Sequence, residues 1–304
     1  MKNFLIAVLY ALLLISCTTV KTPEIFEIHT PLQQEFLSGP YEMATIYAKG
    51  NAELSRPQPV IIESDKETLF ISGQEYPVAD GKAELYNVKA GENLVYDDVK
   101  IAVSETAPRN LYIDGVTNVR DAGGWMTASG KRTKQGVLFR SARLDDITEK
   151  GIRELGKLGI RTEVDLREDG FDPGILSYEN IPMKTGGGYL VSNIPSLPSF
   201  FHMICDETKL PIIYHCSIGT DRTGMVTFLI NGLLGVSEED LYRDYLFSNF
   251  ALIEGMRRPR TIDEYIAYMD RFEGDTLSQR IENFLLSVGV DEKDIAALRH
   301  LMLE

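Results

Sequence analysis

The stretch from residue 210 to 234 constrains the fold of this chain more than any other. Residues 210–215 form an apolar run that reads as a buried strand, and residues 223–234 read as a buried apolar helix. Between strand end and helix start stand His215-Cys216-Ser217-Ile218-Gly219-Thr220-Asp221-Arg222-Thr223-Gly224, with five residues separating the cysteine from the arginine. A strand that feeds a helix through so short a turn points to an α/β sheet.

The turn also has a chemical character. A helix N-terminus offers unpaired N–H groups and a partial positive charge, which suits an anion such as the dianion of a phosphate monoester. A tight loop turns the N–H groups of Ser217, Ile218, Gly219, Thr220, Asp221 and Arg222 inward around the anion's oxygens. Gly219 permits close backbone approach. Arg222 adds a planar, bidentate donor as a phosphate clamp. A cysteine in such a positive field ionises more readily, which makes Cys216 the candidate nucleophile and a cysteinyl-phosphate the expected intermediate. Thr223 is placed to give a hydroxyl hydrogen bond to the thiolate. His215 is placed to order the loop through its ring N–H.

The rest of the chain falls into segments. Residues 1–16 read as an export signal: Lys2, then a short apolar run, ending in Leu14-Ile15-Ser16-Cys17. That ending resembles the bacterial lipobox and implies acylation of Cys17. Residues 17–24 are then a lipid-anchored tether. Residues 25–107 alternate in the manner of short strands, as at Val99, Ile101 and Val103, and are punctuated by turn signals; the expectation is a β-sandwich domain. Pro108 marks a change of style. Beyond it strands alternate with helices: a helix at 148–158 stopped by Gly159, a strand at 161–166, a Gly/Pro-rich loop region at 169–198, a helix near 199–207, and amphipathic helices at 238–251, 261–272, 277–288 and 292–302. Residues 108–304 are expected to form the catalytic domain. The acidic residues of the late helices read as a solvated face.

The formal net charge of −14 argues against nucleic acid as a partner, since a phosphate backbone demands clustered Lys and Arg, and against electrostatic adhesion to anionic lipid; with no second apolar stretch long enough to span a membrane, the expected membrane attachment is through the lipid anchor only. The anion site must therefore be local. Of the 3 cysteines, Cys205 reads as a small buried residue.

The loop resembles the signature loop of protein tyrosine phosphatases, and more narrowly that of an atypical bacterial family active on phosphotyrosine and phosphoinositides. Asn118-Val119-Arg120-Asp121-Ala122-Gly123-Gly124, Phe139-Arg140-Ser141-Ala142 and Gly159-Ile160-Arg161-Thr162-Glu163-Val164-Asp165-Leu166-Arg167 resemble that family's segments in the same order. The likeness runs from about Asn110 to the C-terminus. It implies a central, mostly parallel sheet flanked by helices, a phosphorylated protein or small phosphomonoester as substrate, and no metal or organic cofactor. The family often carries Lys where this chain has Thr220, and Ser217 and Ile218 are uncharged too. This favours phosphotyrosine over a multiply phosphorylated inositol. The open alternatives are a phosphoinositide or inositol phosphate phosphatase, and a phospho-binding module without turnover.

The leaving oxygen needs a proton. Between Asp172 and Asp206 the only carboxylate is Glu179, so a separate upstream acid loop is poorly supplied. The resemblance implies Asp221, with Asp172 and Glu179 as the other candidates. Asp165 and Arg167 end a strand on the side of the sheet where α/β sites gather, and either brace the loop, touch substrate or pair with each other. Arg120 and Arg140 are candidates to draw in anions, with Asp121 as a partner for either.

Overall fold

The structure, a computed structural model, describes residues 25–41, 56–96, 99–106 and 109–304. The export signal, Cys17, the tether and the Pro108 boundary lie outside them.

Residues 109–304 are a mixed α/β fold around a five-stranded sheet. Its strands are β8 (Arg120–Asp121), β9 (Leu138–Ser141), β10 (Thr162–Asp165), β11 (Ser177–Asn180) and β12 (Ile212–His215), in the order β11-β10-β12-β9-β8. All neighbours run parallel except β8, which is antiparallel to β9. Every residue of β9, β10 and β12 is buried, as a parallel sheet covered on both faces requires. The period of two divides the sheet between two cores. Leu138, Val164, Ile212 and Tyr214 join the main core on one face, while Phe139 and Ile213 join a smaller one with Leu155 of helix α2 on the other.

α2 (Glu149–Leu158) starts on the Thr148 hydroxyl, which accepts from the Gly151 N–H, and stops at Gly159 in the left-handed conformation. α5 (Asp221–Leu233) runs through the main core, buried from Arg222 to Leu233. It starts two residues earlier than its apolar pattern suggests, so Asp221 and Arg222 already belong to its first turn. Around it lie α3 (Tyr189–Ser192), α4 (Leu197–Ile204), α6 (Glu238–Leu246), α7 (Arg260–Met269), α8 (Leu277–Ser287) and α9 (Glu292–Met302). α6 passes into a 3-10 turn at Phe247–Phe250 and is shorter than the predicted 238–251.

The N-terminal part departs further from expectation. Its described strands are β1 (Ile25–Phe26), β2 (Val60–Glu63), β3 (Thr68–Ile71), β4 (Gln74–Pro77), β5 (Lys82–Leu85), β6 (Asn93–Tyr96) and β7 (Val99–Val103). They form three small sheets, β1-β7-β6, β2-β5 and β3-β4, around one apolar cluster that includes Val60, Ile62, Ile71, Leu85 and Ile101. The region is β-rich; three small sheets do not establish the two facing sheets of a sandwich.

It also contains a helix, α1 (Pro31–Ser38), in a stretch read as strand-like. Thr30 and Gln33 make a reciprocal capping box, and Pro31 occupies the first helical turn. Phe36 and Leu37 are buried in the main core of the C-terminal fold, with the Phe36 ring 5.4 Å from that of Phe250. Tyr41 stacks on Tyr242 at 4.2 Å, and the Arg243 guanidinium donates to the Gly39 carbonyl at 2.8 Å. Burial of a Phe and a Leu side chain contributes about 1.5–3 kcal/mol each.

Candidate active site

β12 delivers His215 at its end, residues 216–220 make the loop, and α5 begins at Asp221. The loop's conformation is set from behind, through its carbonyl groups. Cys216 O lies 3.2 Å from His215 Nδ1, and Ser217 O accepts from the Arg143 N–H at 3.3 Å. Ile218 O and Gly219 O accept from Asn118 Nδ2 at 3.1 and 3.0 Å. Gly219 O also accepts from Arg140 Nη2 at 3.0 Å, and Thr220 O accepts from the Gly224 N–H at 2.7 Å. Each carbonyl from 216 to 220 is thus tied to the protein. Among the described residues, none of the backbone N–H groups of Ser217, Ile218, Gly219, Thr220, Asp221 and Arg222 donates to a protein acceptor. Oppositely directed carbonyls and amides of this kind make an anion nest.

Gly219 has φ +70, and a Cβ there would come within 2.2 Å of the Ser141 carbonyl oxygen. The close approach that demands glycine is thus to β9. Thr220 is buried, its hydroxyl donating to Ile218 O at 3.3 Å.

Cys216 is 2% exposed and Arg222 7% exposed. Arg222 Nη1 donates to the carbonyls of Leu166 and Met183 at 3.4 and 3.2 Å, and Nη2 to Ser217 Oγ at 3.0 Å. The guanidinium is therefore fixed across the loop. The Thr223 hydroxyl is buried with no hydrogen-bond partner among the described residues. His215 is fully buried, with Nε2 2.8 Å from Glu163 Oε1.

Asp221 sits in a two-point ion pair: Arg257 Nε and Nη2 each lie 3.0 Å from one of its oxygens, and the Tyr245 hydroxyl donates to Oδ1 at 3.2 Å. Arg257 is itself clamped by Asn249, which accepts from its N–H at 2.7 Å and donates to its carbonyl at 2.9 Å. Burial opposes the Arg257 charge, but the Asp221 carboxylate outweighs it and raises the arginine's pKa. The other acid candidates are engaged elsewhere. Asp172 accepts from the Gly174 N–H in a turn, and Glu179 pairs with Lys209.

Four expectations need correction. Arg120 does not draw in anions: it is 1% exposed, and it donates to Asn118 Oδ1 at 2.6 Å, to the Asp244 carbonyl at 2.7 Å and to the Asp244 carboxylate at 3.4 Å. Arg140 is fully buried and joins the same carboxylate at 2.5 Å. Asp121 pairs with neither; its nearest cation is Arg109, at 3.9 Å. Asp165 and Arg167 form a structural ion pair. Arg167 donates to both oxygens of Asp165 and, through Nη1 and Nη2, to both oxygens of Asp145 at 2.8 and 2.9 Å. Burial pushes the Asp165 carboxyl up, but Arg167 and His215 prevail and lower it. Asp244 is 3% exposed, so it is no part of a solvated face.

Asn118, Glu163, Asp244 and Arg257 were not singled out from sequence. Glu163 left one trace, a carboxylate inside an otherwise apolar strand beside Asp165. The other three act across 100 residues or more, or from a loop, and carry no local pattern.

The site thus has a thiol and a held guanidinium at the two ends of a loop with unpaired amides, between a parallel strand and a buried helix. The tyrosine phosphatase family model matches residues 111–304, and the chain belongs to that family. A Cupriavidus necator protein with a tyrosine-protein phosphatase name is 27% identical over 184 residues, 49% of this chain and 66% of the relative. A tyrosine-protein phosphatase of Nostoc commune is 27% identical over 157 residues, 42% of this chain and 52% of the relative. The chain thus spans less than two thirds of either relative's length. Among solved structures, P. aeruginosa TpbA is 18% identical with a TM-score of 0.36, covering 52% of this chain and 97% of that one. The catalytic core of the S. cerevisiae PP-IP phosphatase SIW14 is 16% identical with a TM-score of 0.35, covering 44% and 84%.

Proposed function

We propose that this chain is a cysteine-dependent phosphatase of phosphate monoesters, with phosphotyrosine as the preferred substrate. The observation that carries the reading is the loop's polarity: every carbonyl from 216 to 220 is held outward, and the amides of 217–222 are left for a ligand. Membership of the tyrosine phosphatase family and the names of the two relatives support it.

The Cys216 thiolate attacks phosphorus, the bond to the leaving oxygen breaks, and Asp221 gives that oxygen a proton. This requires a carboxyl oxygen to turn away from Arg257. Loop amides and Arg222 stabilise the charge on the equatorial oxygens. The Thr223 hydroxyl steadies the sulfur as leaving group when water cleaves the cysteinyl-phosphate. Residues 108–304 carry this chemistry. The uncharged Ser217, Ile218 and Thr220 favour an aryl phosphate over a polyphosphorylated inositol. Residues 1–24 are proposed to export the protein and anchor it by lipid at Cys17, with outer-membrane sorting. Among the described residues no helix is long and apolar enough to cross a membrane.

The test is hydrolysis of p-nitrophenyl phosphate and a phosphotyrosyl peptide by the wild type and by Cys216→Ser. Turnover lost in the variant with phosphate binding kept supports the mechanism. Turnover at the wild-type rate in the variant refutes it. Phosphate binding with no turnover in the wild type would make the chain a binding module.

A further inference from the structure

Beside the loop lies a groove of about 420 Å³. It borders Ser217 and Ile218, is walled by residues 111–118 and by Arg143, and is closed at one side by Arg56 from the N-terminal β-rich region. Arg56 lies outside the part matched by the family model, which begins at residue 111. We propose that this groove is a substrate subsite that takes the peptide segment flanking a phosphorylated tyrosine, and that Arg56 makes the N-terminal region a determinant of specificity by binding an acidic residue of that segment. This inference rests on the phosphatase reading and names the substrate class.

Position comes first. The groove touches the loop at two of the five residues between Cys216 and Arg222, so a chain attached to a phosphate held there has an adjacent place to lie. Its volume lies within the range of ordinary ligand sites.

The lining then selects the chemistry. Leu111, Val116 and Leu252 supply apolar wall, and the Tyr112 ring adds an aromatic surface. Asp114, Asp146 and Glu254 put three carboxylates in the groove against the guanidiniums of Arg56 and Arg143; Arg143 pairs with Asp146 at 3.3 Å, so Arg56 is the cation left for one anionic group, and a second or third phosphate meets carboxylates instead. A polyphosphorylated inositol is thereby disfavoured, whereas a peptide brings neutral amides and side chains of either sign. Among the described residues Arg56 has no hydrogen bond or ion pair. Its guanidinium rests 5.1 Å from the centre of the Tyr112 ring, which leaves its N–H donors for a ligand. Tyr112 is held in turn: its hydroxyl donates to Asp114 Oδ1 at 2.5 Å and its N–H to Asn87 Oδ1 at 2.6 Å, so the β-rich region grips the wall as well as supplying the cation.

The test is a charge swap. The full chain and its Arg56→Glu variant are assayed on p-nitrophenyl phosphate, on phosphotyrosyl peptides flanked by Glu or by Lys, and on a soluble inositol polyphosphate. Arg56 is exposed, so the variant keeps the fold, and its p-nitrophenyl phosphate kinetics report this directly. The expected result is unchanged turnover of p-nitrophenyl phosphate, a rise in KM for the Glu peptide of about threefold to fivefold, and a fall for the Lys peptide, as for an exposed ion pair. Identical peptide kinetics in both proteins, with p-nitrophenyl phosphate still hydrolysed, would overturn the subsite alone. Preference for the inositol polyphosphate would overturn the peptide assignment. Inactivity of the wild type on every substrate would remove the phosphatase reading and this inference with it.

Discussion

The side-chain amide of Asn118 donates to the Gly219 carbonyl at 3.0 Å, joining two residues 101 positions apart in the chain. The same NH2 group reaches Ile218 O, and Asn118 Oδ1 accepts from Arg120. Arg120 and Arg140 both bind Asp244 of α6, and Arg140 returns to Gly219 O. The anion loop is thus shaped by a buried bracket of Asn118, Arg120, Arg140 and Asp244.

Asn118 has φ +57, so glycine keeps the backbone conformation while removing the amide. Asn118→Gly leaves two loop carbonyls without that donor, at about 1–3 kcal/mol. The expected outcome is a roughly 10- to 100-fold fall in kcat/KM for p-nitrophenyl phosphate. Circular dichroism would show the fold kept; an unchanged kcat/KM would remove the bracket from catalysis.

Asp244→Asn leaves two buried guanidinium groups without their carboxylate. Breaking a buried charge network in this way costs about 3–5 kcal/mol. Thermal denaturation should show Tm lowered by roughly ten degrees. A shift of a degree or less would mean that the carbonyls and hydroxyls around Arg120 and Arg140 suffice.

Asp221→Asn removes the proton donor and keeps the shape. Hydrolysis of an alkyl phosphate, a poor leaving group, should slow by roughly 100-fold or more. A p-nitrophenyl leaving group needs little help, so its hydrolysis should slow by less than about tenfold. Equal slowing would assign Asp221 to holding Arg257 and the helix start.

Burial, with the Asp294 carboxylate beside it, pushes the Cys205 thiol up to about 12, and its Sγ donates to the Asp294 carbonyl. The thiol form therefore persists at neutral pH. Iodoacetamide should alkylate Cys205 slowly in the folded protein and at an ordinary cysteine rate in urea, read by peptide mass spectrometry. Equal rates in both conditions would contradict this.

Elements with a strong local pattern were legible in the sequence. The apolar strand and helix around Cys216 and Arg222 announced themselves, and Thr148 with Gly159 marked both ends of α2. β11 lies inside the stretch whose pattern reads as loop, because Ser177-Tyr178-Glu179-Asn180 is a polar edge strand with neither alternation nor an apolar run. α1 is a two-turn helix inside a strand-like region; its Thr30/Gln33 capping box was the available signal. Arg120 looked like an anion-binding cation because a charge carries no label for the carboxylate that pairs with it. Asp244, 124 positions away, decides its role.

α1 has a consequence for how this protein is divided. Composition invites a cut near residue 108, yet Phe36 and Leu37 lie in the apolar interior of the part beyond it. Excision there would open a hollow beside Phe250 and strip Arg243 of its acceptor at Gly39. Because α1 fills that interior, the expected unfolding of the two regions is a single transition rather than two.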